Sequence, residues 1–588
     1  MKSLIPQMAS IAVLVGGYLV ASSEADKQIA SYAFDPSKAR QNICGPIGTS
    51  RNILFKPEVA HMLSNATYAS PSTPGTVSLM PGLDTLDFPI SSKNAEAQAY
   101  FRQGAALTYG FNHWEAIRAF KKAQALDPSC AICYWGEAMA LGPNINAGMG
   151  KEAGEKALAA IRQAQALKVN ASARERLLIE AMSVRYSDEA SVGQGALNQR
   201  FSEAMARASE QMPEDNDIAT LYAESLMTTA PWDYWERDFI TPRPHIKTAI
   251  ETIEKVLARN PNHYGAMHLL IHLYEASAEA ERAEPYADKL AGLVPGAGHL
   301  VHMPGHIFYR VGRYLDSLDT NIKAVQVDET YLASTDGSDL YRYGYYPHNV
   351  HFVLVSAQMA GDAATALKFA KKLDPLIPVE VFKEAEWITP IKAAPYFAYA
   401  QFATLDDVMA LPSPGDDVPY LKAMWHFARG VSLVEAGDER ASGEIAAIQK
   451  LGQLPEITSA GFPADTLLKI AGNIVEAKLL AENGELPKAV GLMKDAIRLQ
   501  DSLAYTEPPH WYYSVEQSLG SMLYQAGKFA EAEAAFTASL MRHPNSAWSL
   551  SGLAKTQRAL GRTGEAAITE ALLEKASRAQ GEIAIKKL

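Results

Sequence analysis

A spacing of 34 residues recurs along the chain and limits it to a stack of repeated helical hairpins. The clearest unit spans residues 513–546, where Leu519 and Gly520 take the packing positions of a first helix. Ala532, Phe536 and Pro544 follow at the places of a second helix and its end. The turn then repeats: Ala526-Gly527-Lys528 becomes Leu560-Gly561-Arg562, and Ala532 becomes Ala566. Small residues let two helices touch, an aromatic ring fills the gap between hairpins, and proline stops the second helix. Residues 97–130 carry the same set through Gly104, Ala116, Phe120, Ala123 and Pro128. There Asn112 precedes the second helix with Glu115 three residues on, the pattern of a capping box.

The register continues through residues 264–297 (Ala283, Pro295), 298–331 (Gly305, Ser317) and 347–380 (Ala366, Pro378), with weaker units around Gly430 and Gly484. Two irregular stretches interrupt it: Pro231-Trp232-Asp233-Tyr234-Trp235, and residues 336–346, rich in Tyr and Gly. Thirty-four residues is the period of the tetratricopeptide repeat (TPR). The expected fold is therefore all-α, a TPR-type right-handed α-solenoid with a few irregular insertions. Its expected divisions are a signal peptide (1–25), an irregular arm (26–92), N-terminal repeats (93–215), central His-rich repeats (216–380) and C-terminal repeats (381–588).

The first of these rests on Lys2, a mostly apolar run over residues 8–21, and small residues Ala21, Ser22, Ser23 and Ala25. That is the layout of a secretory signal, and the run is shorter than the roughly 18 residues of an ordinary membrane span. An uncleaved N-terminal anchor is the alternative. Cys44 lies too far downstream for a lipoprotein cut, so the expectation is a periplasmic or secreted protein without a stable transmembrane span. Three cysteines exclude a disulfide-framework fold. Cys130 and Cys133 form a CxxC at a helix start, open to a disulfide, a redox pair or two buried small side chains, with a structural role preferred. A net charge of −12 argues against nucleic acid as the main partner.

Histidine placement is the strongest functional signal. Eight of fourteen histidines lie between His263 and His351, where an even spread would put about two. His268 and His272 recur 34 residues on as His302 and His306. On the repeat grid His268, His302 and His351 fall at position 5 of a first helix, His272 and His306 at position 9, and His299 and His348 at position 2. Those positions are three and four apart and form one helical stripe. Imidazoles four apart have Cβ atoms about 6 Å apart, close enough to share a metal ion. Neighbouring helices bring the next pair to about 8–10 Å. Glu275, one turn beyond His272, is placed to ligate or orient; Glu224 at a further position 9, Asp233 in the first insertion, and His113 are weaker candidates. His263 and His426 are expected in packing or turns, His245 and His543 in loops beside proline.

Pro304 lies between His302 and His306, where it either breaks a helix or opens one with His299 and His302 on an entering loop. Gly298 and Gly305 would let backbone approach a ligand. Trp232, Trp235, Tyr341, Tyr343, Tyr345 and Tyr346 would wall a pocket or pack the insertions. No Gly-rich phosphate loop, nucleophile elbow or HExxH motif is present.

Several phrases are more specific than the generic repeat: FNHWEAIRAF (111–120), LDPSCAICYWG (126–136), LGPNIN (141–146), HMPGHIF (302–308) and PHNVHF (347–352). In these the chain resembles a widespread family of exported bacterial tetratricopeptide-repeat proteins over about residues 80–570. The resemblance implies the fold and the exported class and brings no reaction with it. The residues themselves lead to a metalloprotein, expected to be a metalloenzyme acting on a small organic substrate. Copper, iron or zinc suits a nearly all-imidazole set, with oxidation preferred over hydrolysis. The competing class is a periplasmic scaffold that binds peptide or protein partners in the concave groove, although a carboxylate clamp would more naturally use Lys or Arg. Metal storage or delivery is a third.

Overall fold

The computed structural model describes residues 77–588, apart from residues 86, 190, 336, 385–387 and 588. The expected signal segment and most of the N-terminal arm lie outside the described residues. Residues 77–92 run without helix and pack on the first hairpin, where the Tyr100 hydroxyl donates to the Val77 carbonyl at 2.8 Å. From there the chain is an all-α solenoid of antiparallel hairpins of the tetratricopeptide type.

The first hairpin pairs Ala95–Tyr109 with His113–Leu126. Asn94 caps its first helix, accepting from the Glu96 and Ala97 amides at 3.0 and 3.1 Å, and Asn112 caps the second through the Glu115 amide at 3.3 Å. The reciprocal half of the expected capping box does not form. Glu115 instead turns to Arg118 at 3.0 Å, which offers a charged partner one turn along the same helix.

The repeat's small residues have a measurable reason. A Cβ on Gly104 would fall 2.7 Å from the Phe120 ring, and one on Gly136 in the next hairpin 2.4 Å from it. Phe536 stands in the same relation to Gly520 and Gly552, at 2.8 and 2.3 Å. In these two hairpins one phenylalanine thus locks into two glycine notches, one in its own hairpin and one in the next. Cys130 and Cys133 are joined by a disulfide at the start of Ala131–Leu141.

Three first helices of the central repeats lie side by side: Tyr264–Glu275, the pair Gly298–His302 and Pro304–Arg310, and Tyr346–Met359. Pro304 divides the middle one at Met303, having no amide hydrogen to continue the ladder. His299 and His302 therefore sit on a short helix, not on a loop. In the second insertion Leu340–Tyr345 forms a wide π-helical turn that feeds the third helix, with Pro347 in its first turn. Such turns are rare and recur at functional sites. The other insertion is pinned by the Trp235 indole, which donates to the Leu273 carbonyl at 2.8 Å, and by a bridge from Trp235 to Pro242.

The C-terminal repeats return onto these helices. Trp548 donates to the Gln358 carbonyl at 2.6 Å, and Arg578 forks onto Asp319 at 2.6 and 2.7 Å. Residues 505–512 cross the histidine face on the way. No helix among the described residues is long and apolar enough to cross a membrane.

Candidate metal centre

Six of the seven in-register histidines converge into two triads: His268, His272 and His299, and His302, His306 and His348. Within each triad one nitrogen per ring lies within 4.8 Å of the others. The grouping follows a rule. Each triad takes positions 5 and 9 of one repeat and position 2 of the next. Rings of opposite triads are near neighbours, His299 to His302 at 5.8 Å and His272 to His306 at 6.3 Å between centroids.

His351 stands apart. Position 9 of its repeat is Val355, so it has no partner to complete a third pair. Its Nε2 meets the Tyr512 hydroxyl at 2.7 Å instead.

In the first triad both nitrogens of His268, both of His299, and Nε2 of His272 are buried without a hydrogen-bond partner among the described residues. Leaving a buried polar atom unpaired costs about 1–3 kcal/mol, and one nitrogen from each of these three rings comes within 4.8 Å of the other two. In the second triad His302 Nε2 lies 2.7 Å and His348 Nε2 3.4 Å from His306 Nε2. Three imidazoles around one ion at about 2.0–2.1 Å would bring their nitrogens to a similar mutual separation.

The remote nitrogens of His272, His302 and His306 are held as metal-binding imidazoles usually are, by acceptors that fix tautomer and ring orientation. His302 Nδ1 bonds Asn321 Oδ1 at 2.6 Å. Glu275, fully buried, receives His272 Nδ1 at 2.6 Å on one oxygen and His306 Nδ1 on the other. One carboxylate therefore orients a ring in each triad, leaving both Nε2 atoms facing inward.

A phenylalanine packs on each triad. Phe111 lies 4.7, 5.7 and 5.2 Å from His268, His272 and His299; Phe352 lies 4.9, 4.8 and 5.1 Å from His302, His306 and His348. Phe111 is held at φ 55°, a left-handed conformation uncommon outside glycine. Its position in the FNHWEAIRAF phrase was visible in the sequence; its contact with histidines more than 150 residues away was not.

Gly298 and Gly305 make room for side chains. A Cβ on Gly298 would fall 1.8 Å from Asp328 Oδ1, and one on Gly305 2.3 Å from Asn321 Nδ2. The expected close approach of backbone to a ligand is thus an approach to the residues that brace the histidine helices. Sequence reasoning missed Asn321, which lies on the partner helix Tyr314–Ser334 outside any histidine pattern.

The weaker candidates lie elsewhere. Asp233 is an exposed partner of Arg243 at 2.8 Å. His113 meets Asn144 Nδ2 at 3.2 Å and, with Glu224, lines a small separate cavity behind His268. His263 caps the Tyr264–Glu275 helix through the Ala266 amide at 3.0 Å, and His426 pairs with Glu444, as expected of packing histidines.

Burial pushes His268, His299, His302 and His348 well below the ordinary imidazole range, and neighbouring histidines push the same way. Burial lowers His272 too. It also opposes charge on His306, but the Glu275 carboxylate outweighs it and holds that ring above the usual value. Glu275 itself would be raised by burial, yet His306 and His272 bring it down to about 2. Neutral imidazoles beside one fixed carboxylate are what metal ligation requires.

Buried histidines outside the triads set a pH dependence of stability. Burial lowers His351 to about 3 and His113 and His510 to about 4. The unfolded chain takes up these protons near 6.5 and the folded chain does not, so stability present above that pH drains as pH falls. Each costs about 2 kcal/mol by pH 5. Asp328 and Glu507, both raised to about 7 by burial, act oppositely and lose stability as pH rises towards 7. The histidines, with the lowered members of the triads added, outnumber them. The melting temperature of metal-free protein should therefore fall between pH 7 and pH 5, and a flat or rising profile would mean these rings are not buried neutral.

No protein-family model and no curated relative matches the chain. Solved structures similar to it include human IFIT1 bound to m7Gppp-AAAA, 14% identical over 80% of this chain and 95% of that one, with a TM-score of 0.29. The P58(IPK) TPR domain is 12% identical over 80% and 99%, with a TM-score of 0.23. Yeast Tom70 is 12% identical over 82% and 90%, with a TM-score of 0.25. Likenesses this distant say nothing of the histidine centre.

Proposed function

We propose that this helical-repeat protein is a metalloprotein whose two histidine triads each hold one metal ion at the base of a central pocket. The observation that carries the reading is the convergence of one buried imidazole nitrogen from each of His268, His272 and His299. Beside them, the three Nε2 atoms of His302, His306 and His348 face one another. All-imidazole ligation suits copper, zinc or ferrous iron. Copper or iron would supply electron transfer to or from a small organic substrate, and zinc an activated water. The protein's own part is to keep five of the six rings neutral by burial, aim His272, His302 and His306 through Glu275 and Asn321, and exclude water with Phe111 and Phe352. An oxidoreductase is the favoured enzyme class, and export remains the proposed location.

Addition of copper or zinc to metal-free protein tests this. At a hundred times the dissociation constant, binding to the folded state alone adds about 2.7 kcal/mol per site, expected as a clear rise in melting temperature. No rise with any of copper, zinc or iron would remove the reading.

A coarser reading, an interaction scaffold, is favoured by the fold itself, since stacked helical hairpins present extended concave surfaces for partners. It predicts a partner bound equally well by protein lacking all six histidines.

A further inference from the structure

Above the triads lies a cavity of ≈ 110 Å³. An apolar cavity of roughly 150 Å³ holds one benzene, so this is space for a single small ring and too little for a peptide. His272, His299, His306 and His348 line its base. Trp232, Tyr345, Ile391, Pro508 and Pro509 supply its apolar walls. The Tyr345 ring stands against His299 at 5.0 Å, and the Trp232 ring against His272 at 5.4 Å.

Hydrogen-bonding atoms face the same space. Glu507 Oε2, Thr506 Oγ1, His510 Nδ1 and His351 Nδ1 are buried, line this cavity, and have no partner among the described residues. The other Glu507 oxygen is taken by the Tyr505 hydroxyl. His351 is held with Nδ1 free because Tyr512 occupies its Nε2. No lysine or arginine lines the cavity, and the lining acid is Glu507. Arg310 stacks on the outer Tyr505 ring, 5.4 Å from its centroid, and donates to the Ser277 carbonyl at 3.0 Å.

Flat aromatic walls, one-ring volume and an acceptor in a lining without lysine or arginine define a ligand. We propose that the cavity binds a small, uncharged aromatic molecule bearing a hydroxyl group, with the ring between Trp232 and the Pro508–Pro509 wall and the hydroxyl donating to Glu507. This names the substrate class of the proposed metal centre and rests on that reading, because metal-filled triads leave Glu507 and its neighbours among the polar groups of the lining still to be satisfied. A carboxylate would bury a second acid beside Glu507, whose own charge burial already disfavours, and a plain hydrocarbon would leave four polar atoms unpaired.

Titration calorimetry of the full chain with phenol, toluene, benzoate and benzylamine tests it, with metal content measured on the same sample. Phenol is expected to bind at least tenfold more tightly than each of the others. Glu507→Ala should cost phenol at least tenfold and leave toluene unchanged. Toluene, benzoate or benzylamine binding as tightly as phenol would overturn the proposal, as would undiminished phenol binding by folded Glu507→Ala protein. Should that variant fail to fold, Thr506→Val and the four-ligand comparison on the unaltered chain decide. Phenol selectivity in protein that takes up no metal would keep this proposal and remove the metal reading; metal without phenol selectivity would do the reverse.

Discussion

Glu275→Gln protein is expected to hold metal 10- to 100-fold more weakly at both triads at once, the usual effect of removing a group that orients ligating histidines. The substitution changes almost no volume. What it removes is an acceptor: Glu275 receives Nδ1–H from His272 on one oxygen and from His306 on the other. A glutamine side chain has a single acceptor oxygen, and its amide nitrogen can only donate. One ring must turn or change tautomer, and the lost negative charge lowers the basicity of both. Chelator competition reads the two affinities separately. Loss at one triad alone would mean that Glu275 does not couple them.

Gly298→Ala is expected to give the larger loss of stability. The added carbon would sit 1.8 Å from Asp328 Oδ1, and Asp328 has nowhere to go. It is fully buried, with the Tyr341 hydroxyl on one oxygen at 2.6 Å and Asn349 Nδ2 on the other at 2.7 Å. Overpacking of a tight interior costs about 1–3 kcal/mol, and disturbing these two bonds adds to it. A fall of several degrees in melting temperature is expected. Because His299 is the next residue, the first triad should lose metal affinity while the second keeps most of its own. Equal loss at both, or none, would break this link between bracing residue and ligand.

Most of the fold was legible because its small and aromatic residues have local packing causes, as where Phe120 fills the notches left by Gly104 and Gly136. The site was legible for the same reason, since equivalent positions of stacked repeats face one surface. Six of the seven in-register histidines meet there. His351 shared position 5 with His268 and His302 but lacked a position 9 partner, a distinction that the sequence held in Val355. Pro304 was visible as a helix breaker, whereas the short helix it leaves for His299 and His302 depended on packing around Met303. The bracing and lining groups were not legible. Phe111, Asn321 and Glu507 reach the histidines from separate parts of the chain, and no periodicity links them to the centre. Asp233 looked well placed in its insertion, yet Arg243 lies ten residues on and holds it at the surface.

Elemental analysis of four purified proteins after metal loading tests the central claim most directly: the unaltered chain, His268→Ala, His302→Ala and His351→Ala. Two triads predict two ions per chain, one after either of the first two substitutions, and two after the third. An unaltered chain without stoichiometric metal, or one whose content ignores His268 and His302, would contradict it.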